Sequence, residues 1–304
     1  MADTRARREA DNGERGSIAI LALWAMTLIS LLLASVGFAT RGDMQIARNA
    51  LAASQARLAA EAGTQLGLAR LLRRHDGGRR YFDGTPEAWR QGSTYVAIAI
   101  SDEAGKIDLN VAPAELLAGL FAAVGVGREA AALLACNVLD RRGEIATSCP
   151  EPGSPPIGHR FAVPEELAEV PGISEALYSR LADCVTVATG ASAIDPRVAP
   201  RAVLMAIPGA SDGLIDAFLK DRAALRDLTT ADTALVPAAA APLLMATPGR
   251  DFTVVAAATT EGGARYRAEL QIRLTGRAAQ PYQIVAWRAP PAERAAEAAA
   301  RRAP

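Results

Sequence analysis

The chain has 304 residues, enough for a membrane anchor and one or two soluble domains. Its 33 basic and 33 acidic residues cancel, which excludes a global field drawing it to nucleic acid or acidic lipid. The two histidines, His75 and His159, lie in polar, loop-like surroundings that argue against a zinc centre or a histidine-based triad; with no P-loop or dinucleotide fingerprint, the chain is not read as an enzyme.

Residues 1–16 form a polar leader carrying Arg5, Arg7, Arg8 and Arg15 and ending at Gly16. Residues 17–40, SIAILALWAMTLISLLLASVGFAT, then run without a charged side chain. As a helix this run reaches about 36 Å, enough to cross a hydrocarbon core of about 30 Å, and the arginines favour a cytoplasmic leader. A secretory signal places its small-residue cleavage site after the apolar core, whereas here Gly16 comes before it. That placement resembles a prepilin leader, in which a membrane peptidase cuts after the glycine and leaves Ser17 as the new N-terminus. The alternative is an uncleaved single-pass anchor.

Beyond Arg41 the pattern becomes one-sided. Ile46, Leu51, Leu58, Ala62, Leu66, Ala69 and Leu72 recur at mostly three- and four-residue steps, and no proline interrupts residues 17–74. The expectation is one continuous helix over 17–74, its first half in lipid and its second, 41–78, laid on a soluble domain. Arg70, Arg73, Arg74 and His75 suit its C-terminus, and Gly77 and Gly78 end it.

Residues 79–93 read as turn-rich and Tyr95–Ile100 as a strand, followed by a turn at Ser101–Gly105. Strand texture returns at Phe252–Thr259, Ala264–Leu274 and Pro281–Trp287, with turns at Glu261–Gly263 and Gly276–Gln280. In the middle one, Tyr266, Ala268, Leu270, Ile272 and Leu274 alternate with Arg265, Arg267, Glu269, Gln271 and Arg273, as in a sheet with one wet face and the other covered by the long helix. Residues 289–304 have no apolar pattern and read as a disordered tail.

Between the strand regions lies an internal repeat. IDLNVAPAELLAGL at 107–120 and IDPRVAPRAVLMAI at 194–207 share isoleucine, aspartate, valine, alanine and proline in register. In each, Asp108 or Asp195 precedes a turn, and Pro113 or Pro200 suits the first turn of a helix. Phe161–Ile173 is a third, related unit. The stretches 124–142 and 170–183 look like helix-hairpin-helix elements, which can offer turn amides to a phosphate. Glu165, Glu166, Glu169, Glu175 and Asp183 crowd the second of these and oppose that use, so structural packing is the preferred reading and no nucleic acid is expected.

Asp102, Glu103 and Asp108, and Asp140, Glu144 and Glu151, carry oxygen ligands suited to calcium, although no EF-hand spacing is present and solvated turn carboxylates are the commoner case. Three cysteines match no zinc pattern; in an exported domain they give one disulfide and one free thiol. Cys149 pairs with Cys136 or with Cys184, and the spacing does not choose between them.

The ordered set of leader, bipartite helix, ISDEAGKIDLNVAPAELL at 100–117, VPEELAEVPGISEALYSRL at 163–181, the second IDPRVAPRAVLMAI and the late strands resembles the K-type minor pseudopilins of type II secretion. The resemblance implies an α+β, pilin-like fold: a long N-terminal helix on a small antiparallel sheet (79–107 and 231–288) with an inserted helical domain at 108–230. It also implies cleavage between Gly16 and Ser17 by prepilin peptidase, with methylation, a single-pass inner-membrane anchor, a periplasmic soluble part, and a place at the pseudopilus tip with I- and J-type minor pseudopilins. The fifth mature position is Leu21, where major pilins carry a glutamate that pairs with the N-terminal amine of the subunit ahead. A subunit with nothing ahead of it lacks the need for one. The chain departs from the family at 137–144: Arg142 replaces one acid of the family's calcium cluster, leaving Asp140 and Glu144, and Ser17 stands where a larger apolar residue is usual. The runner-up reading is a membrane-anchored DNA receptor with helix-hairpin-helix repeats.

Overall fold

The computed structural model describes residues 3–75, 82–144, 149, 158–224, 242–245 and 249–288; within the first helix it describes the side chains of 20–34 and 42–73. The expected helix end at Gly77–Gly78, Glu151, the link 231–241 and the tail 289–304 lie outside the described residues. In chain order the elements are α1 (Asp3–His75), β1 (Glu87–Gln91), β2 (Thr94–Asp102), β3 (Ile107–Asp108), α2 (Ala114–Ala123), α3 (Arg128–Arg142), α4 (Glu175–Leu181), β4 (Val185–Thr186), α5 (Arg201–Met205), α6 (Asp212–Ala224), β5 (Asp251–Thr259), β6 (Arg265–Arg277) and β7 (Gln280–Arg288). Short 3-10 turns occur at Glu103–Gly105 and Pro164–Glu169.

Helix α1 is a single element of 73 residues and begins at Asp3, inside the expected leader, instead of at residue 17. The leader has no proline and is rich in alanine, arginine and glutamate, so nothing in it opposes helix. Among the described residues no helix is long and apolar enough to cross a membrane. The described side chains of the run 17–40 are those of 20–34, all exposed.

The buried face of α1 differs from the expected one. Ile46, Leu51 and Leu58 are exposed, while Ala56, Ala59, Ala60, Gly63, Thr64, Gly67, Leu68 and Leu71 face the sheet. Small residues win because the helix backbone lies directly on the strands. A Cβ at Gly63 would come within 2.9 Å of both Val96 Cγ1 and Ala256 Cβ, and one at Gly67 would overlap Val254. Leu68 and Leu71 complete this contact, Leu66 and Leu72 of the expected stripe pack partly against it, and Ile46, Leu51 and Leu58 lie outside it.

The sheet is antiparallel in the order β1-β2-β5-β6-β7, so β2 and β5, separated by the whole insertion, are neighbours. Alternation along β6 puts Ala268, Leu270, Ile272 and Leu274 into the core beneath α1, as its sequence pattern predicts. Strand β1 forms where only turns were expected. Its EAWRQ sequence is short and charged, as suits an edge strand, and Gly92 at φ +59° turns it into β2. The other face of β6 is also drier than expected, because the inserted unit leaves Arg267, Glu269 and Gln271 half-buried.

The inserted unit has a separate core containing Leu116, Leu120, Phe121, Leu134, Leu181 and Leu204. Strands β3 and β4 pair in parallel through it, and Ile194 bridges in parallel to Leu244. Residues 242–245 thus lie against the helical unit, although the sequence grouped them with the sheet. The two copies of the repeat touch backbone to backbone. A Cβ at Gly119 would overlap the Ala206 carbonyl, and one at Gly105 would lie 2.6 Å from the Val198 carbonyl carbon.

Candidate functional site

Gly16 and Ser17 both lie in the backbone of α1, shortly before the exposed Leu21. Ile20, Leu23, Trp24, Leu28 and Leu31 are exposed with it, and Met44, Ile46, Leu51 and Leu58 continue an uncovered apolar surface toward the sheet. Contiguous exposed apolar surface is uncommon on monomeric soluble proteins and in general marks protein or membrane contact.

The repeat folds into two turns of one design. Asp108 and Asp195 are both buried; Asp108 Oδ1 accepts from Asn110 N at 2.9 Å, and Asp195 Oδ1 from Arg197 N at 3.0 Å. Their carbonyls accept from Ala112 N and Ala199 N, and Pro113 and Pro200 stand at the N-caps of α2 and α5. The second oxygen of Asp108 is taken by Thr189 Oγ1 and Gly190 N, and that of Asp195 by the Arg197 guanidinium at 2.6 Å. Neither aspartate is left open to a ligand, so both serve as internal staples.

The hairpin between α2 and α3 also spends its amides internally. Gly125 N donates to Ala122 O and Val126 N to Phe121 O, with Gly125 at φ +88°, which is a Schellman ending. At the second hairpin, Ile173 N donates to Val170 O and the Ser174 hydroxyl accepts from Leu177 N. The protein itself holds these turn amides.

Between the sheet and the inserted unit lies a cavity of about 160 Å³ lined by Glu103, Lys106, Tyr178, Thr253, Arg267 and Glu269, among others. Glu103 accepts from Lys106 Nζ at 2.6 Å and from Thr253 Oγ1 at 2.7 Å. Burial pulls the Lys106 ammonium down, but Glu103, with smaller contributions from Glu269 and Asp183, outweighs it and leaves the pKa raised. Arg267 and Arg288 both approach Glu269, and Arg288 also reaches Glu165 of the inserted unit. Most of these pairs lie on the sheet side of the cavity, and Arg288 with Glu165, at 3.4 Å, is the one among them that crosses to the inserted unit.

Asp102 secures the place where the chain leaves the sheet and returns to it. Its carboxylate accepts from Ala104 N at 2.9 Å and from Gly249 N at 3.2 Å, and a side chain at Gly249 would overlap it. Burial, with smaller contributions from Asp195 and Glu103, pushes its pKa up to about 7. An acid raised in this way contributes stability that is complete below its ordinary value near 4 and is lost as the pH rises to about 7. We therefore expect the wild-type melting temperature to fall between pH 4.5 and 7.5, and Asp102→Asn to flatten that fall by up to one proton's worth of slope, about 1.4 kcal/mol per pH unit. An unchanged slope in the variant would remove Asp102 from this role.

Two of the expected metal ligands, Asp140 and Glu144, lie among the described residues and Glu151 lies outside them. Glu144 is exposed and pairs with Arg142 Nη2 at 2.7 Å, Asp140 is half-buried, and no group of three His, Cys, Asp or Glu side chains that could hold a metal gathers among the described residues. A guanidinium already occupies the carbonyls beside Glu144: Arg142 donates to Leu109 O and Ala112 O. Sequence spacing alone does not flag Arg142 in this role. A disulfide joins Cys136 to Cys149, with Cα atoms 5.6 Å apart, and ties the middle of α3 to a residue beyond its end. Cys184 is a buried free thiol whose pKa is pushed up to about 12 by burial.

No family model matches the chain, and no curated protein does. A chain in the crystal structure of the GspK-GspI-GspJ complex from the enterotoxigenic Escherichia coli type 2 secretion system is similar in fold, with a TM-score of 0.56 at 14% identity. The match covers 83% of this chain and 99% of that one. The α+β, pilin-like architecture, a long helix on an antiparallel sheet with a helical insertion, is thus shared with a solved structure.

Proposed function

We propose that this chain is a K-type minor pseudopilin at the tip of a type II secretion pseudopilus, where it initiates assembly with I- and J-type partners. In this reading, residues 17–40 anchor it in the inner membrane and the sheet and inserted unit lie in the periplasm. The observation that carries the reading is the uncovered apolar surface of α1, from Ile20 to Leu33 and on through Met44, Ile46, Leu51 and Leu58. The protein's own sheet does not use that surface, so a bilayer and the helices of neighbouring subunits are its natural cover. The shared fold adds weight, because the similar chain belongs to a three-component secretion complex. Leu21 fits a subunit with none ahead of it, since a lone carboxylate at that depth is costly without a partner.

The test is the mass of the N-terminal peptide of the membrane-extracted protein, in cells with and without prepilin peptidase. Cleavage after Gly16 that depends on the peptidase, with methylation of Ser17, is the expected result. An intact N-terminus in both strains would reduce residues 17–40 to a plain anchor and overturn the pseudopilin reading.

A further inference from the structure

The two repeat turns share a feature that the repeat motif does not contain. Residues 109 and 112 of the first turn correspond to 196 and 199 of the second. Leu109 O and Ala112 O accept from Arg142 Nη1 and Nη2 at 2.9 and 2.7 Å. Pro196 O and Ala199 O accept from Arg222 Nη1 at 3.2 and 2.6 Å. Each arginine sits on the helix that follows the short one, Arg142 on α3 and Arg222 on α6. Each also meets one carboxylate, Glu144 at 2.7 Å and Asp83 at 3.8 Å.

The likeness extends through both modules. Each isoleucine before the turn pairs in parallel with a later segment, Ile107 with Val185 and Ile194 with Leu244, and a glycine at positive φ (Gly125, Gly209) separates the two helices. In both turns, one guanidinium takes two backbone carbonyls and has a carboxylate beside it. These are the oxygen donors a hard cation takes. The Arg142 side chain is only 3% exposed and that of Arg222 only 14%, so both charges reside inside the protein.

We propose that the inserted unit is a duplicated helix-hairpin module in which the guanidinium groups of Arg142 and Arg222 are built-in cations, each filling an oxygen site in place of a divalent metal. The aspartate of each turn binds its amides from within, and the arginine binds its carbonyls from the neighbouring helix. With both sets of backbone groups satisfied by the chain itself, the unit needs no metal to fold. This goes beyond the secretion role and stands whether or not that role holds.

The test is thermal melting of the full-length protein in detergent micelles. Wild type is expected to melt within about 1 °C of the same temperature in EDTA and in millimolar calcium chloride, since nothing is lost when metal is removed. Arg142→Asp replaces the cation with a further oxygen ligand, and its melting temperature is expected to fall by roughly 10 °C in EDTA. Calcium, but not sodium chloride of equal ionic strength, is expected to recover at least half of that loss, with one ion bound per chain by calorimetry. Arg222→Asp should behave in the same way at its own turn.

An EDTA-sensitive wild type would overturn the proposal. So would an Arg142→Ala variant that melts like wild type in EDTA. If Arg142→Asp does not fold, Arg142→Lys replaces it. The ammonium keeps the charge but reaches fewer acceptors, and melting between wild type and Arg142→Ala supports the proposal, whereas melting level with Arg142→Ala overturns it.

Discussion

Gly67→Leu is expected to separate α1 from the sheet and to leave the protein without a cooperative unfolding transition in that half. A Cβ at this position overlaps Val254 Cγ1 and lies 3.1 Å from Ile98 Cγ2, and both side chains belong to the core shared by the helix and the strands. Extra atoms in a filled core cost about 1–3 kcal/mol when neighbours can adjust. Here adjustment means lifting a helix already held by Ala56, Ala59, Ala60, Leu68 and Leu71, so the loss is expected to exceed about 4 kcal/mol. Gly67→Ala gives a sharper form of the test. Helix propensity alone favours alanine by about 1 kcal/mol, and the contact opposes it. Gly42, with nothing within 4 Å, is the control: Gly42→Ala should raise the denaturation midpoint and Gly67→Ala should lower it. If both raise it, the helix does not sit on the sheet as described.

The same contact explains which parts of the fold are legible in the sequence. Strand β6 is legible because a half-buried strand declares itself by alternation, and Tyr266 to Leu274 alternate without interruption, while β5 and β7 show as short β-prone runs bounded by turns. The buried face of α1 is not, because its large aliphatic residues form the more conspicuous stripe. Contact between a helix backbone and a sheet selects glycine and alanine instead, and these leave almost no hydrophobic signal. Strand β1 escapes notice because its five residues carry charge at an edge. The aspartate-to-proline turns are readable as a repeat, since the aspartate, the amides of its own turn and the proline lie within seven positions. Arg142 and Arg222 are not, because they reach back from different helices at unequal distances along the chain. Spacing shows the acids but not the cation folded in among the acceptors beside them.

A charge introduced at Leu31 is expected to abolish secretion in the proposed role. Leu31 is exposed on α1 within a described stretch, 20–34, that contains no charged side chain, and it lies near the middle of the apolar run 17–40. Arginine at the centre of a spanning helix costs about 2.5–3.5 kcal/mol by insertion measurements, and more where the side chain has no route to the interface. The same substitution puts a cation on the surface expected to meet neighbouring helices, where small and apolar residues sustain close packing. Leu31→Arg should therefore lose carbonate-resistant membrane association or, if inserted, fail to support export, while Leu31→Ile keeps both. The decisive measurements are the level of exported protein in the culture medium and the membrane-bound fraction of the variant. Normal export by a stably expressed Leu31→Arg chain would show that this surface is not buried in the working assembly, and the long exposed helix would then need another explanation.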